Sequence, residues 1–460
     1  VNHQQKTEPA RTDRVHHNRP RSVLDGDIRR HLVRLAIPSV GGMFAITIFN
    51  LTDTFFVSRL GTDPLAAMGF TFPVVLIIGA FSQGISMGAG SILARAMGRG
   101  DHHKMNRVAT DGILLSVLAV GIIALIGLGT MDRLFTLLGA SEQVLPLVKA
   151  YMTVWYSGVA VVVMPPVSDS CMRAMGDMVR PLLVMLVCAV SNVILDPILI
   201  FGYFGLPAMG IAGAATATVI SRGFGMVLTL SFVHFHYGLI DFRYKSVREL
   251  FDSWRGILGI GLPGALVRLL PQVVRSVVTR AAAVVAGTAG VAALAAGTRI
   301  ESFATIISMA VGVAMIPIIG QNYGAGRFER VAATRRMTAR IAVGYGLLLF
   351  LLALAFSRPV VKIFSDDPEV IRLASLYLRI VLIGSIGLNL YNWLSEGLNA
   401  IGKPLWSLGI NLIGTLCIIV PAIFGGVRLD GFTGMLIGLI AGQIVVGCGA
   451  YLVASKVMEK

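Results

Sequence analysis

The chain is expected to fold as an all-α polytopic membrane protein: twelve transmembrane helices in two six-helix lobes related by a pseudo-two-fold axis along the membrane normal. Three observations predict this, namely its composition, the spacing of its apolar segments and an internal repeat. Hydrophobic residues make up 55% of the chain and charged residues only 14%, against roughly 25% charged residues in soluble domains. A helix needs about 20 apolar residues to cross a bilayer. Windows of that length recur near 33–58, 67–92, 110–130, 144–167, 181–204 and 209–236. Six more follow near 255–284, 289–319, 338–357, 371–394, 405–425 and 431–455.

The repeat appears when the sequence is shifted by 226 residues. Ala66 and Ala67 then fall on Ala292 and Ala293, Gly98 and Gly100 on Gly324 and Gly326, and Tyr151 on Tyr377. Ala174-Met175-Gly176 falls on Ala400-Ile401-Gly402. One constant offset across so long a stretch points to duplication. Six spans return the chain to the side it started from, so both copies share one orientation and enclose a central cavity. The expected organisation is a polar, disordered tail over 1–27, an N-lobe over 28–238, a linker over 239–254 and a C-lobe over 255–460.

The net charge of +15 is spread over short connections. With the N-terminus placed inside, about 26 Lys and Arg lie on the inner side and about 8 on the outer side, as the positive-inside rule requires. Both termini are therefore expected in the cytoplasm and the chain in the inner membrane. Charges dispersed in this way exclude a nucleic-acid partner, which needs a basic face. The first 25 residues are polar and lack the apolar core of a signal peptide. Cys171, Cys188, Cys417 and Cys448 have no CxxC spacing, so neither a disulfide framework nor a zinc site is indicated. No cofactor is expected; a monomer with membrane lipids and small molecules as partners is.

Asp53 interrupts an otherwise uncharged first span, Leu35 to Val57. A charge there costs about 3 kcal/mol or more and by default marks a functional site. Thr47, Asn50, Asp53 and Thr54 have helical spacing, and Asn192 and Asp196 are i and i+4 on the fifth span. At 1.5 Å per residue, Asp53 lies roughly 27 Å and Asp196 roughly 22 Å from the inner ends of their helices. Thr216 and Thr218 on the descending sixth span reach a similar depth. One pocket in the outer half of the N-lobe is expected to hold them. Two carboxylates in low dielectric resist double ionisation, which suits a proton carrier; with Asn192 and Thr218 the same oxygens also suit Na+. Asp53 shifted by 226 is Thr279 and Asp196 shifted is Ala422, so the second lobe lacks this acid pair.

Pro38 can bend the first helix, with Gly41 and Gly42 relaxing the turn after it. Arg268, Gln272 and Arg275 form a stripe on the seventh span, and intramembrane arginines are expected to face a cavity or a carboxylate. With Asn50 and Gln83 they are the candidates for a substrate cavity. Three enzyme-like matches fail on context. Gly84 to Gly88 fits GxSxG inside a span, Gly259 to Gly264 fits GxGxxG with no preceding strand, and Gly397 to Lys403 fits a phosphate loop until Pro404.

Several motifs resemble the multidrug and toxic compound extrusion (MATE) transporters, particularly their DinF-type prokaryotic branch. They are Thr298-Arg299-Ile300-Glu301, Ile319 to Gly326 (IGQNYGAG), Asn50-Leu51-Thr52-Asp53 and Asn192 to Pro197 (NVILDP). The resemblance spans about residues 28–456 and implies an antiporter exporting amphiphilic, often cationic compounds against inward H+ or Na+. It carries the cation site onto Asp53, Asn192, Asp196 and Thr218, and the bending proline onto Pro38. The NorM-like branch uses acids on helices seven and ten. Here helix seven has none and helix ten only Glu396 near its inner end, which favours an N-lobe site. The expected function is proton-coupled multidrug efflux, in which protonation of Asp53 bends the first helix. A lipid-linked precursor flippase and a membrane-embedded transferase are the alternatives.

Overall fold

The computed structural model describes residues 22–242 and 247–458; residues 1–21, most of the expected tail, 243–246 of the expected linker and 459–460 lie outside the described residues. The N-lobe comprises α1 (Ile28–Ser58), α2 (Thr62–Arg99), α3 (His102–Leu137), α4 (Leu145–Ser157), α5 (Val159–Ala174), α6 (Val179–Phe201) and α7 (Ile211–Ser231). Helices α4 and α5 make one span bent by 51° at Gly158. The C-lobe comprises α8 (Val247–Gly324), α9 (Phe328–Val361), α10 (Pro368–Ala400), α11 (Pro404–Ile413) and α12 (Val420–Met458).

Two helical runs reverse direction at a glycine. Gly287 has φ 56° inside α8, and Gly431 has φ 50° inside α12. A side chain is disfavoured in that left-handed region by roughly 1–2 kcal/mol, so glycine permits the turn. The reversal in α12 is visible in its packing, with Gly434 against Gly426 and Gly438 against Ala422. Among the described residues, nine helical stretches are long and apolar enough to cross a membrane, and the bent α4–α5 pair is a further one. Counting both arms of α8 and of α12 gives the twelve spans read from the hydropathy pattern.

The two lobes pack differently. The C-lobe has one continuous core around Met315, Ile318, Trp393 and Leu394, in which the Trp393 indole donates to the Ser308 carbonyl at 2.8 Å. The N-lobe core is divided. One cluster fills the half far from the start of α1 (Phe135, Met152, Trp155), another the near half (Leu93, Met105, Met172), and a small one lies between α1 and α6. Polar groups occupy the level between them.

On the near face, where α1 begins, the lobes are tied together. Arg95 donates to the Ala400 carbonyl at 2.8 Å, and the Gln321 amide donates to the Ala174 carbonyl at 2.8 Å. Here residues 22–27, the described part of the expected disordered tail, are held in place. Val23 is fully buried, its N–H donates to Gln321 Oε1 at 3.1 Å, and Asn322 donates to its carbonyl at 3.4 Å. Arg327 donates to Asp25 Oδ1 at 2.7 Å and Arg330 to the Gly26 carbonyl at 3.0 Å. Buried main chain must be satisfied, and these side chains satisfy it. The Arg327 guanidinium holds the Asp25 carboxyl below its ordinary range.

α8 begins at Val247, within the stretch expected to link the lobes. An acid in the first turn, Glu249, favours that start. Packing continues across the connection: the Asp241 N–H donates to Thr110 Oγ1 at 2.9 Å, and the Trp254 indole donates to the Asp111 carbonyl at 3.1 Å.

Candidate ion and substrate sites

The acid pocket follows from helix register. α1 and α6 run parallel and touch where Gly41 meets Leu182, an alignment that sets Asp53 level with residue 194. α7 runs antiparallel to α6, with Gly213 against Leu199 and Gly225 against Cys188. That register sets Thr218 level with 194–195. Asn192 and Asp196 flank this level on α6, so four polar side chains from three helices converge at one depth. Asn192 donates its amide to Asp196 Oδ1 at 3.0 Å. Asp53 and Asp196 lie within electrostatic reach of each other, and the buried Tyr151 of α4 is within reach of both.

All four members are buried: Asp53 is 6% exposed, Asn192 and Asp196 0%, and Thr218 7%. Among the described residues Asp53 Oδ1, Asp196 Oδ2, Asn192 Oδ1 and Thr218 Oγ1 have no hydrogen-bond partner. A buried polar atom left unsatisfied costs about 1–3 kcal/mol. Four such oxygens at one level form an acceptor-rich pocket suited to a proton or a small cation.

A cavity of about 510 Å³ lies closer to the near face, between the N-lobe and the second arm of α8. α1 walls it from Pro38 to Thr47. Five methionines line it (Met43, Met87, Met178, Met185 and Met309), and such flexible, polarizable side chains adapt to different apolar shapes. Its charged groups are Asp169 and Arg173 of α5, Arg222 of α7 and Arg268 of α8. Arg268 donates to Glu396 Oε1 of α10 at 3.2 Å. The Arg222 guanidinium stacks over Phe49, 4.6 Å from the ring centre. Asp169 lies within electrostatic reach of Arg173 and Arg222, and its Oδ1 accepts no hydrogen bond among the described residues. Three guanidinium groups thus face two carboxylates, leaving the cavity positively charged.

Of the expected substrate residues, Gln83 and Arg268 line this cavity, and so do Pro38 and Gly42 of the expected hinge. Gly41 packs instead on Leu182. α1 is one continuous helix through Pro38. Asn50, Gln272 and Arg275 are exposed and are not among the residues that line this cavity. The cavity ends at the level of Arg268, and the other two residues of that stripe sit one to two turns farther toward the far face. On α1, Asp53 is turned by about 120° from Thr47 at 3.6 residues per turn. Thr47 therefore faces the cavity while Asp53 faces α6.

Sequence reasoning missed Tyr151 as a member of the acid pocket, and Asp169, Arg173 and Arg222 in the cavity. The signal was present. Arg222 is a charge inside the sixth span, the same anomaly that singled out Asp53, and Asp169 lies two residues past the fourth window.

The MatE family profile matches residues 38–198 and again 263–424, so each lobe matches it once. The FAD transporter of Shewanella oneidensis is 32% identical over 437 residues, covering 95% of this chain and 96% of that protein. A probable multidrug resistance protein, NorM, of Thermotoga maritima is 26% identical, covering 90% of this chain and 89% of its own. The crystal structure of the Vibrio cholerae MATE transporter VcmN in the bent form superposes with a TM-score of 0.88 at 29% identity, covering 93% and 96%. Matched in both lobes by the family profile and end to end by these transporters, the chain belongs to the MATE family of multi-pass membrane transporters and is not an enzyme.

Proposed function

We propose that this protein exports a negatively charged amphiphile in exchange for protons bound at Asp53 and Asp196. The observation that carries the reading is the double role of α1. Pro38 to Thr47 wall the cavity, and two turns farther on Asp53 stands in the acid pocket. A change of protonation at Asp53 therefore acts on the helix that shapes the cavity, and Pro38, with no N–H to give the helix ladder, is where that helix bends most easily. The near face, rich in Arg99, Lys104, Arg107, Arg327 and Arg336, is the cytoplasmic side of the inner membrane by the positive-inside rule. The cycle takes substrate from that side and protons from the other.

The cavity's charge favours anions, and its methionine and isoleucine lining favours flat apolar rings. FAD combines an anionic pyrophosphate with two ring systems and is the first candidate, supported by the relative named an FAD transporter. A second reading, export of cationic drugs, is favoured by Asp169 Oδ1, which accepts no hydrogen bond among the described residues, and by the relatives named for multidrug resistance.

The test is transport into proteoliposomes under an imposed pH gradient without sodium. Accumulation of FAD against its gradient supports the proposal. Accumulation of ethidium but not FAD supports the cationic reading. Accumulation that appears only with a sodium gradient overturns proton coupling.

A further inference from the structure

A groove of about 340 Å³ lies in the C-lobe between the second arm of α8, α9 and α10. We propose that it binds an anionic phospholipid of the far leaflet, one acyl chain lying along α8 and α9 and the phosphate held by Arg379.

The position of the groove supplies the first argument. The second arm of α8 gives it Ile300, Phe303 and Ile307, while Ile306, Met309 and Val313 of the same arm line the substrate cavity. At 3.6 residues per turn the two sets lie on opposite faces of the helix. The groove therefore opens away from the cavity, toward the bilayer, and Phe303, Leu352 and Phe356 at its edges are exposed.

Its shape and lining suit hydrocarbon. Along α9 it runs from Tyr345 to Val360, fifteen residues of rise or roughly 22 Å. One leaflet contributes about half of a hydrocarbon core of roughly 30 Å, so the groove spans the depth of one leaflet and ends beside the far end of α9. Its two hydroxyls are already used: Tyr345 donates to the Ala304 carbonyl at 2.8 Å, and Ser357 accepts from Arg379 Nε at 3.0 Å. The rest of the lining is apolar.

The third argument is charge. Arg379 falls inside the tenth apolar window, 371–394, where a positive charge calls for a partner. Among the described residues it has no carboxylate partner, and its one side-chain hydrogen bond goes to Ser357, which lines the groove at its far end. Both terminal nitrogens of the guanidinium remain, a planar fork that matches phosphate oxygens. Arg358 and Lys362 are exposed just beyond on α9 and add positive charge at that level. An apolar channel of leaflet depth that ends at a guanidinium matches an acyl chain joined to an anionic headgroup. A lipid seated there supports from behind the arm whose other face lines the substrate cavity.

The test uses the full-length protein in phosphatidylcholine nanodiscs containing a trace of phosphatidylglycerol with a diazirine on one acyl chain. After illumination, labelled peptides are mapped by mass spectrometry. Label is expected to concentrate at Phe303, Leu352 and Phe356 and to be chased by unlabelled phosphatidylglycerol. Arg379→Gln is expected to lower that labelling about tenfold or more, the loss of one charged contact, with labelling elsewhere unchanged. Equal labelling of the groove by a diazirine phosphatidylcholine overturns the anionic site, as does label spread evenly around the protein. Chase by FAD or ethidium but not by phosphatidylglycerol assigns the groove to substrate and also overturns it. Should Arg379→Gln not fold, Leu352→Trp decides, because it fills the groove and leaves Arg379 in place. Label at Phe303 is then expected to fall, and wild-type labelling there overturns the site.

Discussion

The side-chain amide of Asn192 donates to Asp196 Oδ1 at 3.0 Å, and among the described residues Asp196 Oδ2 is buried without a hydrogen-bond partner. The amide thus fixes the orientation of the carboxylate. Asn192→Leu is expected to retain protein in the membrane but to weaken coupling. Loss of a hydrogen bond to a charged group costs about 1.5–3 kcal/mol, so pH-driven transport should fall roughly ten- to hundredfold. Initial rates in proteoliposomes check this.

Arg222 stacks on Phe49 and presents its charge to the cavity. Arg222→Gln is expected to weaken binding of FAD by about tenfold or more, the loss of one charged contact. Binding of an uncharged apolar dye should change little. Fluorescence titration of the purified variant with each ligand separates the two.

Pro38 lies inside α1 and has no N–H to give the helix ladder. Pro38→Ala supplies that donor and stiffens the helix. Substrate affinity should remain within a fewfold of the wild type, while turnover falls by an order of magnitude. Equal losses in binding and turnover would argue that Pro38 shapes the cavity and does not serve as a hinge.

Gln321 joins three segments by accepting from the Val23 N–H and donating to the Ala174 carbonyl. Gln321→Ala strands both groups, at about 1–3 kcal/mol each, and should favour opening of the near face. Faster thiol labelling of a cysteine placed at Ala174 is the expected sign. The neighbouring Asp25–Arg327 contact responds to pH with a known sign. Asp25 is held below its ordinary range, so the contact is complete at neutral pH and fades only as pH falls through that lowered value.

The spans were legible because hydropathy and length report membrane crossing directly. The acid pocket was legible because Asp53 and Asp196 are expensive charges in otherwise apolar helices. Two features were not. The helical wheel grouped Asn50 with Asp53, yet only contact with α6 and α7 decides which flank of α1 is buried. The arm around Val23 looked like tail because its partners, Gln321, Asn322 and Arg330, lie about 300 residues away.

The central claim is that protonation of Asp53 drives export through α1. Asp53→Asn keeps the shape of the side chain and removes its titration. In proteoliposomes with one unit of pH gradient, the wild type should accumulate FAD against its gradient while Asp53→Asn binds FAD normally and accumulates none. Accumulation by Asp53→Asn at the wild-type level would contradict the account.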